Sequence, residues 1–140
     1  MKKICLVSGL LIISALMALY AVNITVGQTY TQNFDGLGTS ATATMPTDWK
    51  VDKNNSVRSV GSYSGAVTVT DQRAGDGMSS TAPSGIYNFG AGAAGSATDR
   101  AVGGLSARDK AKSVNIYVKL TNNGSSDISS FTISYNVEKY

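Results

Sequence analysis

The sequence predicts an all-β domain, an antiparallel β-sandwich of jelly-roll-like form. Three observations predict it. First, Val114, Ile116, Val118 and Leu120 alternate with Asn115, Tyr117, Lys119 and Thr121. Phe131, Ile133, Tyr135 and Val137 alternate in the same way with Thr132, Ser134, Asn136 and Glu138. A turn over Asn122 to Asp127, containing Asn-Gly, separates the two runs, which is the pattern of a hairpin with one buried face. Second, no segment after the N-terminal apolar run sustains a helical period, and there is no internal repeat. Third, Ser84 to Leu105 reads as a short strand (Ile86, Tyr87, Phe89), a glycine- and alanine-rich loop and a second strand opened by Asp99-Arg100. A loop of such small residues between two patterned segments predicts a close backbone crossing at a sheet end.

The chain opens with Lys2-Lys3 and an apolar run from Ile4 to Val22, the layout of a secretory signal peptide. A retained membrane anchor is the competing reading, because a run of 19 residues is close to the ~20 that span a bilayer. Cleavage is the favoured reading, with residues 1–27 as signal peptide and 28–140 as the β-sandwich domain. Ala21 and Gly27 are the small residues that suit the cut, so the mature chain is expected to begin between Val22 and Gln28. Cys5 lies inside this segment, too near the start and in the wrong context for lipid attachment.

Removal of the signal peptide changes the balance of 12 basic and 9 acidic residues to 10 and 9, a net charge of +1. Such a surface gives no electrostatic reason to expect nucleic acid as a partner, and no membrane association is expected after cleavage. The mature chain has no histidine, no cysteine and a single glutamate, Glu138. Histidine general-base chemistry, thiol nucleophiles and ordinary zinc sites are therefore excluded. Eight aspartates remain, enough for a calcium site or a carboxylate pair.

Taken in order, Tyr30 to Phe34 predicts a first strand, ended by Asp35-Gly36. Residues 38–44 are small and polar and predict an exposed loop. Pro46 stiffens the approach to Trp49, which with Val51 starts a second strand. The lone tryptophan suits a core anchor better than a sugar-stacking platform. Asp52 to Ser56 predicts a polar turn, and Ala66 to Thr70 a β-branched strand. Asp71 to Pro83 is the longest irregular segment. Its Asp71 and Asp76 are the metal candidates, but they lack the spaced ligands of an EF-hand, and a solvated loop is the simpler reading.

Asp99 and Arg100 form a charged pair beside an uncharged loop. The structural reading is favoured over a catalytic one: Asp99 caps the turn by accepting backbone N–H bonds, and Arg100 covers a sheet end or pairs with another loop. The outward strand faces offer Asn115, Tyr117, Ser134 and Asn136. Asn115, Tyr117 and Asn136 are the ligand-binding candidates for sugar hydroxyls, against the plainer reading of a solvated sheet face.

Five stretches together resemble a family of bacterial secreted jelly-roll-like domains found at the N-terminal end of large cell-surface and extracellular proteins. They are Gln32 to Leu37, Met45 to Trp49, Ser84 to Gly90, Ser96 to Gly103, and Leu120 to Gly124 continuing through Ile133-Ser134-Tyr135. The resemblance covers nearly all of residues 30–140. It marks Asp35, Trp49, Asp99 and Arg100 as structural motif residues and implies no catalytic ones. The family continues past its Ser-Tyr with an acidic residue, an aromatic, an arginine and further strands. Here Glu138 and Tyr140 match only the start, so the domain is expected to be truncated at its C-terminus, with further domains downstream.

The resemblance implies an accessory module on an exported protein rather than a catalyst. Export, the all-β pattern and the missing catalytic chemistry add the expectation of a non-catalytic surface or adhesion module, secreted or at the cell surface, with glycan or extracellular matrix as the partner class. The alternative is the N-terminal fragment of a larger secreted hydrolase or nuclease whose active site lies beyond residue 140. No cofactor is expected, calcium being the one that the aspartates leave open.

Overall fold

A computed structural model of the chain describes residues 21–107 and 110–139. Its strands, in chain order, are β1 (Val22–Ile24), β2 (Trp49–Asn54), β3 (Gln72–Ala74), β4 (Gly85–Gly90), β5 (Arg100–Leu105), β6 (Ser113–Val118) and β7 (Leu120–Asn122). One 3-10 turn, Asp35–Leu37, stands between β1 and β2. The chain is all-β, as its alternating patterns predict, and its pairing is mixed. β2 pairs antiparallel with β6, and β4 pairs antiparallel with β5. β3 lies parallel to β4, and β1 lies parallel to β7.

The core follows from the period of two. Val51, fully buried, stands between the outward-facing Lys50 and Asp52 of β2 and joins Leu37, Ala43, Met45 and Ile86 in one cluster. Phe34, Trp49, Val102 and Val114 close around it, so the cluster ties the β2–β6 ribbon to β4 and β5. Burying a side chain such as Val51 or Ile86 contributes about 2 kcal/mol each. Trp49 is half-buried against the core, its ring edge-on to Phe34 at 5.0 Å, and its indole N–H donates to the Tyr30 hydroxyl. The anchor reading of this residue accounts for both contacts.

A close crossing is present at the end of the β3–β4–β5 sheet, but the glycine that it requires is Gly75, outside the run, whereas a β-carbon on Gly92 would meet nothing within 4 Å. Gly75 lies against the small-residue loop after β4: a β-carbon there would stand 2.1 Å from the Gly92 carbonyl oxygen and 2.6 Å from the Ala94 nitrogen. The Asp76 N–H donates to that same Gly92 carbonyl. Only glycine permits the approach.

Several expected elements differ. Tyr30 to Phe34 forms no strand. Gln32 Oε1 accepts the Phe34 N–H and Asn33 Oδ1 accepts the Asp35 N–H, so side chains compete for the groups a ladder would use. Phe34 adopts φ 65°, which turns the chain into the 3-10 turn. The polar run Asp52 to Asn54 is strand rather than turn, because each residue is in register with β6. Residues 66–70 make two single bridges, Val67 to Val51 and Val69 to Thr44, instead of a continuous strand, because the segment changes partner between them. The irregular segment after Asp71 contains β3.

The largest difference is the C-terminal hairpin. β6 takes β2 as its partner, and β7 takes β1. Residues 131–139 form no strand, and Phe131, Ile133, Tyr135 and Val137 are 64 to 83% exposed. Alternation sets which face a strand buries, but not which neighbour it pairs with. Of the expected signal peptide, residues 1–20 lie outside the described residues, as does Tyr140; Val22–Ile24 form β1. Among the described residues, no helix is long and apolar enough to cross a membrane.

Candidate functional site

Among the described residues, the most buried charged side chain is that of Arg100, at the start of β5 and 1% exposed. Cross-strand pairing of Gly90 with Arg100 and of Asn88 with Val102 brings it beside Asn88 of β4. Arg100 Nε donates to Asn88 Oδ1 at 2.9 Å, and Nη2 donates to the Asn88 carbonyl at 2.6 Å. The Asn88 amide nitrogen donates in turn to the carbonyls of Gly38 and Ser40, both at 2.9 Å. Asp35 completes the set from outside: its Oδ1 accepts the Arg100 backbone N–H at 2.9 Å. The arrangement is a latch between the loop at 35–40 and the β4–β5 hairpin.

Asp35 and Arg100, two of the motif residues, are therefore brought together. Asp99 is exposed, and its carbonyl accepts the Ala91 N–H. The carboxylate that caps the start of β5 is that of Asp35. Asn88 is a functional-site residue without an expected role, although a polar residue inside Ile86-Tyr87-Asn88-Phe89 interrupts an otherwise apolar strand. A buried amide needs partners, and that interruption was the available signal.

A second cluster lies on the outer face of the β2–β6 ribbon. Register pairs Asp52 directly with Asn115. Asn115 Nδ2 donates to Asp52 Oδ1 at 2.7 Å and to the Ser59 carbonyl at 2.9 Å. The Tyr117 hydroxyl donates to Asp52 Oδ2 at 2.8 Å. Gly61 sits over the carboxylate so closely that a β-carbon would lie 2.1 Å from Asp52 Oδ2. Burial pushes the Tyr117 phenol above its usual value; the hydrogen bond to Asp52 and the charge of that carboxylate add to the rise, and the backbone of Gly61 opposes it. Two ligand-binding candidates, Asn115 and Tyr117, thus meet on one aspartate and hold the segment 59–61 down. The third, Asn136, is exposed in segment 131–139, which forms no strand.

The metal candidates are also placed. Asp71 Oδ2 accepts the Ile86 N–H at 3.2 Å and pairs with the Lys53 ammonium. Asp76 is exposed on its loop, beside Gly92. Among the described residues, no group of three or more acidic, histidine or cysteine side chains is gathered to hold a metal ion. Two open surface depressions can be placed: one is lined by Val57, Ser106, Ala107 and Lys112, and another lies between Thr25, Val26 and residues 124–126. Neither contains a ligand-binding or metal candidate.

No family model, curated protein or solved structure matches this chain.

Proposed function

We propose that this chain is a non-catalytic accessory or adhesion-type module of an exported bacterial protein, a jelly-roll-like β-sandwich of the secreted family that it resembles. One observation carries the reading: the carboxylates of Asp35, Asp52 and Asp71 accept hydrogen bonds from the chain's own amide, phenol, backbone or ammonium groups. A general acid or nucleophile must present its oxygen to a substrate, and these oxygens are spent on holding loops to strands. With Asn115 and Tyr117 bound to Asp52, contact with glycan or matrix falls to the exposed polar loops and is weak. The alternative, an N-terminal fragment of a larger secreted hydrolase or nuclease, draws its support from the apolar row Phe131, Ile133, Tyr135 and Val137 left in solvent. Such a row suits a neighbouring sheet or domain.

The test is to assay the soluble domain against nucleic acid, ester and polysaccharide substrates, with and without calcium, and against a glycan and matrix-protein panel. The expected result is no turnover and at most weak binding. Turnover abolished by changing a single aspartate overturns the reading.

A further inference from the structure

We propose that the exported chain is processed between Ala21 and Val22, so that the mature protein begins at Val22 and keeps β1; this rests on the export reading above. The sequence alone leaves two cuts, after Ala21 or after Gly27, and neither has a small residue two positions earlier: Leu19 stands there in one case and Thr25 in the other. The fold distinguishes them. β1 lies wholly between the two cuts and is part of the folded protein. Val22 is 7% exposed, and its N–H donates to the Lys119 carbonyl at 2.9 Å. Val22, Asn23 and Ile24 are in parallel register with Leu120, Thr121 and Asn122, and the Ile24 carbonyl accepts the Asn123 N–H at 3.0 Å. A cut after Gly27 removes all of these contacts and leaves β7 without its partner. A cut after Ala21 removes none.

The chemistry at the new terminus fits the same cut. Hydrolysis by a signal peptidase breaks the bond from the Ala21 carbonyl carbon to the Val22 nitrogen. Water supplies hydroxyl to the carbon and a proton to the nitrogen. The nitrogen that donated to Lys119 as an amide becomes an ammonium, which keeps a donor for that carbonyl and makes the hydrogen bond charge-assisted. Cleavage precedes folding during export, so the burial of Val22 in the finished fold is no obstacle.

The experiment is export of the full chain from a bacterial host, followed by N-terminal sequencing and intact mass of the exported protein. The expected N-terminus is Val22-Asn23-Ile24-Thr25, with Ala21→Leu accumulating uncut precursor and Gly27→Asn processed as the parent is. Asparagine is chosen because Gly27 has φ 77°, a region that asparagine tolerates. An exported chain beginning at Gln28 overturns this inference while leaving export intact. An exported chain that still begins at Met1 overturns this inference and favours the retained anchor, whereas a chain that is not exported overturns the export reading and this inference together.

Discussion

Arg100 holds a charge where water does not reach, a placement that costs several kcal/mol unless the guanidinium is fully hydrogen-bonded. The fit around it is tight. A β-carbon on Gly90 would fall 1.9 Å from Arg100 Nη1. Gly90→Ala is therefore expected to cost about 2 kcal/mol in denaturant-induced unfolding, as an overpacked core does. Arg100→Ala strands the Asn88 carbonyls and costs a similar amount, on the order of 2 kcal/mol. The two changes together should cost clearly less than their sum, because the closest clash is gone and the methyl is left only Ala97 Cβ, 2.8 Å away, to strike. Strict additivity would show that Gly90 is needed for some other reason.

Tyr117 gives a second test at this scale. Its folded-state pKa is raised above the ordinary 10.0, first by burial and then by Asp52. The folded state thus holds the phenolic proton more tightly than the unfolded chain does. The stability from this group is complete below that ordinary value and is lost as pH rises through the folded one. Tyr63 and Tyr87 shift in the same direction, both chiefly through burial. Melting temperature followed across the alkaline range should fall less steeply in Tyr117→Phe than in the parent. Equal slopes would remove Tyr117 from the account.

At the scale of elements, local information was legible and partner choice was not. β4 and β5 stand where the run Ser84 to Leu105 predicts them, because a short loop makes neighbours of the strands that it joins. β6 was legible as a strand, but its ladder runs to β2, about 60 positions earlier, and no local pattern encodes that pairing. Residues 131–137 kept their alternation without a ladder. Four exposed apolar side chains at alternate positions invite association with other chains. Ile133→Lys combined with Tyr135→Lys is expected to lower self-association in sedimentation measurements and to change unfolding stability by no more than about 0.5 kcal/mol. A large loss of stability would mean that the row packs against its own domain.

Across the whole molecule, the acidic residues were visible from the start, and their duties were not. Asp35 and Arg100 could be singled out because they stood in recognisable stretches. Asp52 read as part of a polar turn, since only the β2–β6 register sets it under Asn115 and Tyr117. Asp71 and Asp76 read as a faint calcium loop, yet Asp71 faces Lys53 and the Ile86 N–H. An ammonium already neutralises that carboxylate, and a divalent ion would have to displace it. Binding only to the folded state at a hundred times its dissociation constant adds about 2.7 kcal/mol, a rise in melting temperature on the order of 10 °C for a domain of this size. Melting curves in millimolar calcium and in chelator are instead expected to superimpose. Asp71→Asn should lower the melting temperature equally in both, because the ion pair is lost and the N–H keeps only a neutral acceptor. A calcium-dependent rise that disappears in Asp71→Asn or Asp76→Asn would assign a cation site to this loop and reopen the calcium-dependent binding that the aspartates first suggested.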